Sequence, residues 1–329
     1  MAIRLTRAGS CPLIFALMLI LGGATVCLSA GHGREGKEID RALRAQPIPG
    51  LKPTLPVPRV REMRVSPHIP MRMYAATRRG LYTSDDGGAS WQPLPVAGSN
   101  EEVFTLATHP TDPATVLVGR RDGLWQGQDG GQSWIPLPYP TVGPYIPLSV
   151  ALAPNQPQVM YMATARDGVY KSPDGGYHWK AINQGLPEAR AGGRVEEIRT
   201  LVAHPLDADI AYVALERHGV YRTTDGGQSW RPFNQGLAFP LLTAAYPPRL
   251  TFDPADPKRL YAVFGQRIHS HLVRNRLYVT SGTGEWVPLE VELPSNVFIL
   301  TVAVDRVKRM LRLWGPDAVW EVPLGGRAR

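Results

Sequence analysis

Arginine recurs at five of six equivalent turns in this 329-residue chain: Arg78-Arg79, Arg120-Arg121, Arg166, Arg217, and a longer segment with Arg267, Arg274 and Arg276. The forked donors of a guanidinium fit a carboxylate, phosphate, sulfate or acidic peptide, and a ring of them around an axis would focus positive potential. Arg79, Arg121, Arg166, Arg217 and Arg267 are therefore the candidate ligand-binding residues, with Tyr145 and Tyr246 beside them. Tyr139 and Phe239 occupy the same connections, and exposed aromatics next to arginine suit a protein-binding patch. The alternative is that Arg121 pairs with Asp122, Arg166 with Asp167 and Arg217 with Glu216, leaving solvated turns with little net field. Glu101-Glu102 and Glu196-Glu197 are the best paired acids, and two carboxylates facing across a funnel could hydrolyse a glycoside. A charged strand start is the commoner use of such pairs, so no catalytic residue is assigned.

Other chemistry is thinly represented. His109 and His204 fall in equivalent turns that would not converge, and His269 and His271 sit two apart in an irregular loop, so no metal or other cofactor is expected. No phosphate-cradling Gly-Lys-Ser/Thr phrase or Gly-x-Ser-x-Gly elbow occurs. Both cysteines, Cys11 and Cys27, precede the repeats, which removes disulfides and thiolate chemistry from the folded part.

The elements that must position the arginines repeat. Ser84-Asp85-Asp86-Gly87-Gly88-Ala89-Ser90-Trp91 returns as Gly127 to Trp134, Ser172 to Trp179 and Thr223 to Trp230, with a worn fifth copy at Ser281 to Trp286 that has lost its aspartate. Ahead of each runs an apolar stretch, a Pro/Asp turn such as His109-Pro110-Thr111-Asp112-Pro113, and a second apolar stretch. Tyr82, Trp125, Tyr170, Tyr221, Tyr278 and Trp320 mark the repeat at spacings of 43, 45, 51, 57 and 42 residues. Period-2 alternation within each unit predicts four short strands, a to d. Four strands per 40 to 50 residues describe one blade of a propeller, and the expected fold is all-β, a single β-propeller of about six four-stranded blades.

In such a ring the a–b and c–d turns share one face, and the b–c turns with the d-to-a links share the other, where function should sit. The sixth unit ends without a d strand. Leu51 to Val57 resembles the d-strand text Trp91 to Val96, so an N-terminal strand there is expected to close the ring.

The Ser/Thr-x-Asp-Gly-Gly-x-Ser-Trp phrase resembles the Asp box of the BNR-repeat propellers, a grouping with bacterial sialidases, xyloglucan-cleaving endoglucanases, the sortilin luminal domain and photosystem II stability and assembly factors. The resemblance covers Arg59 to Leu324. It implies that Asp86, Asp129, Asp174 and Asp225 accept turn hydrogen bonds while Trp91, Trp134, Trp179 and Trp230 pack beneath their turns, on the face away from the ligand. It does not imply one activity, because the relatives share a fold and differ in chemistry. The segment Arg61-Glu62-Met63-Arg64-Val65 lacks the Arg-Ile-Pro signature of sialidases, and the chain has room for one propeller where the endoglucanases use two.

Met1 to Ala30 reads as a signal peptide or membrane anchor: Arg4 and Arg7, then an apolar stretch, then Leu28-Ser29-Ala30. Its loss lowers the net charge from +8 to +6, too modest for nucleic acid. Residues 31–50 then form a linker and 51–329 the propeller. The combined expectation is a secreted, periplasmic or cell-surface monomer, touching membrane only through that segment. It is expected to bind a protein or anionic ligand as a scaffold or assembly factor; the alternative is a glycoside hydrolase of the BNR/sialidase-like grouping.

Overall fold

A computed structural model describes residues 43–47, 60–69, 71–138, 146–188, 195–215, 218–237, 248–269, 272–281, 284–293, 297, 299–305, 308–315 and 318–324. The leader therefore lies outside the described residues, as do Leu51 to Val57. The compact body spans Ala42–Arg329 and is all-β among the described residues.

Six antiparallel four-stranded sheets follow one another along the chain. In strand order a to d, the first is Val60–Val65, Met73–Thr77, Gly80–Ser84 and Gln92–Leu94, and the second Val103–Thr108, Val116–Arg120, Gly123–Gln128 and Ser133–Leu137. The third is Pro147–Ala153, Gln156–Thr164, Val169–Ser172 and Lys180–Ala181, and the fourth Ile198–Ala203, Ala211–Leu215, Gly219–Thr223 and Arg231–Pro232. The fifth is Arg249–Asp253, Asp256–His269, Leu272–Thr280 and Val287–Leu289; the sixth begins Thr301–Asp305, Met310–Trp314 and Val319–Pro323. Each a strand contacts the next a strand around the ring, and Thr301–Asp305 returns to Val60–Val65. The six sheets form a six-bladed β-propeller, as the repeat predicted.

The b strands explain the radial packing. Met73–Thr77, Val116–Arg120 and Ala211–Leu215 are buried at every position, because a sheet between two neighbours hides both faces. The core is correspondingly divided into six apolar layers, one per blade interface. Tyr161, Leu201 and Val213 meet between blades 3 and 4, while Met63 and Met73 meet Trp314 and Val319 where blade 6 closes on blade 1. Each fully buried aliphatic or aromatic side chain contributes roughly 1.5–3 kcal/mol, so the layers are the main cohesive term.

The strand described at the outer edge of blade 6 is N-terminal, while Leu51 to Val57, expected to close the ring, lie outside the described residues. Gln46–Pro47, within the stretch read as linker, pairs antiparallel with Val319–Pro323 through Gln46↔Glu321 and Pro47↔Trp320. Just before it, Leu43–Arg44 runs parallel to Val291–Glu292 at the end of blade 5. A two-residue strand carries no readable period, so the sequence shows no sign of it.

Three Asp boxes share one geometry. Asp225 accepts the Thr223 hydroxyl at 2.8 Å, the Ser229 amide at 2.9 Å and the Ser229 hydroxyl at 2.6 Å, and Asp86 and Asp174 repeat the pattern. Asp129 departs from it. Gly127 stands where the others have Ser or Thr, so the hydroxyl that bridges carboxylate and glycine amide is missing. Asp129 turns to φ 52°, no hydrogen bond among the described residues reaches its carboxylate, and the Gln128 carbonyl accepts the Gly131 amide at 2.8 Å instead. The tryptophans also divide. Trp91 and Trp179 donate to their own turns, at Gly88 O and Gly176 O, whereas Trp230 reaches back to Ile182 O of the preceding blade at 2.6 Å.

Candidate functional site

The b–c turns and the starts of the a strands lie at the same end of the sheets, as the pairs Val60↔Thr77, Val103↔Arg120 and Ile198↔Leu215 require. Two of these turns are held by a phrase that sequence reading overlooked. Asn183-Gln184-Gly185-Leu186 and Asn234-Gln235-Gly236-Leu237 are 51 residues apart, the spacing of Tyr170 and Tyr221. The Asn183 amide accepts from Val169 N–H at 2.7 Å and donates to Asp167 O at 2.6 Å. Asn234 treats Val220 and His218 alike, at 2.7 and 2.8 Å. The following Gln carbonyl then accepts the box tryptophan amide of the next blade, Gln184 from Trp230 and Gln235 from Trp286, both at 2.8 Å. The four-letter repeat was the available signal.

Of the arginines singled out from sequence, Arg79, Arg121 and Arg166 are exposed, with no ion pair to a described carboxylate. The alternative pairing of Arg121 with Asp122 does not form. Arg120 takes Asp122 instead, with bonds of 3.1 and 3.0 Å, and is itself buried, tied also to Glu101 at 2.7 Å and to Val96 O at 2.8 Å. Arg166 is likewise unpaired with Asp167. Arg121 rests 5.9 Å from the Phe104 ring centroid, and Arg61 lies 5.2 Å from the same ring. Arg217, Glu216, Tyr139, Tyr145, Phe239 and Tyr246 fall outside the described residues, as do the side chains of Arg267 and His269. Blade 5 does extend its b–c connection as a long hairpin, pairing Gln266↔Arg274 and Arg267↔Val273.

A second group of arginines gathers at the axis. In blades 1 to 4 the a–b register slips by one residue, at Val60/Glu62, Val103/Thr105, Pro147/Ser149 and Ile198/Thr200. The extra residue of each slip is Arg61, Phe104, Leu148 or Arg199, and bulges of this kind re-aim a side chain. All four line a pocket of about 40 Å³ at the mouth of the central channel, together with Glu62 and Arg249. Arg249 crosses from blade 5 to donate to Arg61 O of blade 1 at 3.0 Å. Burial holds its guanidinium below the ordinary arginine range, with Glu62 opposing that shift and Arg64 and Arg199 adding to it.

The acids of this face are committed. Glu62 is buried, ion-paired to Arg64, and accepts the Thr105 hydroxyl at 2.7 Å and the Leu106 amide at 3.0 Å, which ties blade 1 to blade 2. Glu101 pairs with Arg120, Glu102 with Arg61 at 3.1 Å and Arg78 at 3.6 Å, Glu196 with His218, and Glu197 with Arg199 at 2.5 Å. On the opposite face His109 Nδ1 accepts the Asp112 amide at 3.0 Å and His204 Nδ1 accepts the Leu206 amide at 3.2 Å; burial lowers both imidazoles. No group of three or more metal-ligating side chains exists among the described residues.

Six four-stranded blades, c–d turns that carry the Asp-box phrase and a radial core define a six-bladed β-propeller, and parts of its sequence are similar to sortilin-type and other propeller domains. Two family models match parts of it: "Sortilin, neurotensin receptor 3" over residues 167–298 and "DUF6242 beta propeller domain" over 65–203. Vacuolar protein sorting/targeting protein 10 of Fusarium vanettenii is 28% identical over 114 residues, 35% of this chain and 7% of that relative. The Talaromyces marneffei protein of the same name is 33% identical over 127 residues, 36% of this chain and 8% of that relative. The alignments thus span a small part of these long relatives. Among solved structures, a GH74 xyloglucanase from Xanthomonas campestris superposes with a TM-score of 0.55 at 17% identity, over 78% of this chain and 42% of that one, a likeness of fold.

Proposed function

We propose that this propeller is a binding protein which works outside the cytoplasm and holds an acidic protein partner on the face formed by its b–c turns and channel mouth. The observation that carries the reading is the contrast on that face. Arg79, Arg121 and Arg166 project into solvent from equivalent turns, whereas Glu101, Glu102, Glu196 and Glu197 are all engaged by cations or histidine. Free guanidinium donors with neutralised acids favour recognition of an anionic surface. Engaged acids are poorly placed to act as a general acid and base, so the hydrolase alternative gains no support. The fungal relatives are named for protein sorting and targeting, which supports a protein as the ligand. The apolar segment at Met1 to Ala30 supports export.

The test is capture from the native envelope with the wild-type chain and an Arg79→Ala/Arg121→Ala/Arg166→Ala variant, each washed across a salt series. A partner kept by the first, lost by the second and released by salt is expected. Identical partner sets would overturn the assignment of this face.

A further inference from the structure

We propose that the outer edge of blade 3 docks one extended, acidic segment of a partner protein, which joins the sheet as a fifth strand beside Lys180–Ala181. This goes beyond the binding reading above, since it concerns the circumference of the ring and not the face of the b–c turns.

The outermost strands of the other blades share a guard. Proline stands opposite the c-strand aromatic in five of the six: Pro93 opposite Tyr82, Pro136 opposite Trp125, Pro232 opposite Tyr221, Pro288 opposite Tyr278 and Pro47 opposite Trp320. Blade 3 places Ala181 opposite Tyr170. The position matters because of where its donor points. Ile182 N–H donates inward to Val169 O at 2.9 Å, as Phe233 N–H does to Val220 O at 2.8 Å in blade 4. Bonded and non-bonded pairs alternate along an antiparallel ladder, so the residue just before each turns its N–H and C=O away from the sheet. Proline at that place removes the donor an added strand would use and leaves the ladder intact. Ala181 keeps the donor. It is exposed, no strand flanks it on that side, and no hydrogen bond among the described residues uses its amide.

Charge selects the occupant. Lys180 is exposed, has no ion pair among the described residues and lies directly opposite Lys171. His178, its side chain 87% exposed, precedes it in the turn, and the acids nearby are engaged, Asp174 by His178 and Asp209 by Lys171. A second copy paired antiparallel about Ala181 would set two Lys180 side chains diagonally on one face, where like charges repel. Lysine on an edge thus guards against self-pairing. A partner strand with glutamate or aspartate across from Lys180 gains from the same charge. Tyr177, 58% exposed in the turn that opens the strand, adds an aromatic surface of the kind enriched at protein interfaces.

The probe is a fluorescein-labelled octapeptide of alternating glutamate and threonine, titrated with the full chain and followed by anisotropy. Because the arginines of the b–c turns also attract acids, the parent for this titration is the Arg79→Ala/Arg121→Ala/Arg166→Ala chain. Saturable binding to that parent is expected. Adding Ala181→Pro should weaken it about tenfold, the order expected for one lost donor, and leave the melting temperature of the parent unchanged, since five blades already hold proline there. Adding Lys180→Glu should weaken the acidic peptide and strengthen a lysine-threonine counterpart. Should Ala181→Pro fail to fold, hydrogen exchange at the Ala181 amide gives a second reading: rapid in the free chain, and slowed roughly tenfold or more by saturating peptide.

Absence of saturable binding, equal binding with and without Ala181→Pro, or an unchanged charge preference in Lys180→Glu overturns the docking edge. So does a wild-type dimer in sedimentation that Ala181→Pro dissociates, because a second copy would then fill the edge. Partner capture reads the arginines of the b–c turns and this titration reads blade 3 without them, so failure of one leaves the other readable.

Discussion

At the scale of single residues, the Asp boxes are structural acids whose hydrogen bonds set their acidity. The Ser90 hydroxyl and amide hold Asp86 down to about 2, His178 does so for Asp174 and Ser229 for Asp225. A carboxyl that titrates lower in the folded chain than in the unfolded one, where it lies near ~3.9, stabilises the fold in full above that unfolded value. The contribution is then lost as pH falls toward 2. Wild type should therefore show a steep fall in melting temperature between about pH 4 and pH 2. An Asp86→Asn/Asp174→Asn/Asp225→Asn variant should start lower at neutral pH and fall less steeply. Parallel pH profiles would show that the boxes carry no such linkage. Asn183 makes a different kind of bond, since removing its amide strands Val169 N–H in a buried turn. Asn183→Ala should cost about 2 kcal/mol in a urea melt, the usual order for two lost bonds with one donor left orphaned.

At the scale of elements, the Asn-Gln-Gly-Leu segments that follow the d strands of blades 3 and 4 bring main chain close against the next blade. Gly236 has φ 84°, and a Cβ there would meet the Trp286 carbonyl oxygen at 2.1 Å; Gly185 stands in the same relation to Trp230, at 2.3 Å. The close approach exists because the preceding Gln carbonyl takes the tryptophan amide of the next blade. Gly236→Ala therefore combines a left-handed backbone with a clash against main chain, and a loss of roughly 2 kcal/mol or more is expected in the same melt. A change under ~0.5 kcal/mol would mean the link relaxes freely. The register slips are the second element-scale device. They keep Val60, Val103 and Ile198 in the ladder while turning one extra side chain toward the axis, so the channel mouth is built from strand starts.

At the scale of the whole molecule, the ring is held by six interface layers and latched by two residues. Gln46–Pro47 supplies the outer strand of blade 6, and without it the edge of Val319–Pro323 lies open to pairing with another chain. A chain shortened to begin at Ile48 should melt several degrees lower than one beginning at Ala42, by about 2–4 °C per kcal/mol lost. It should also self-associate in light scattering; equal melting and equal monomer content in the two would show that the latch is dispensable. The blade number, the strand order and the Asp boxes were readable from sequence because each repeat encodes its own turns: Gly-Gly for backbone freedom, Asp for the turn amides, Trp for the adjacent layer. The exception at Asp129 was readable too, in Gly127, though four matching phrases invited one description for all. Tertiary structure alone decided which guanidiniums are free. Arg120 and Arg121 are neighbours in one turn, yet the first is buried among acids and the second is exposed. Arg249 and Arg61 meet although 188 residues separate them. Local hydrogen-bonding chemistry repeats within each blade and is written in the phrase that performs it. Convergence at an axis depends on ring closure and on one-residue slips of register, which leave no periodic trace along the chain.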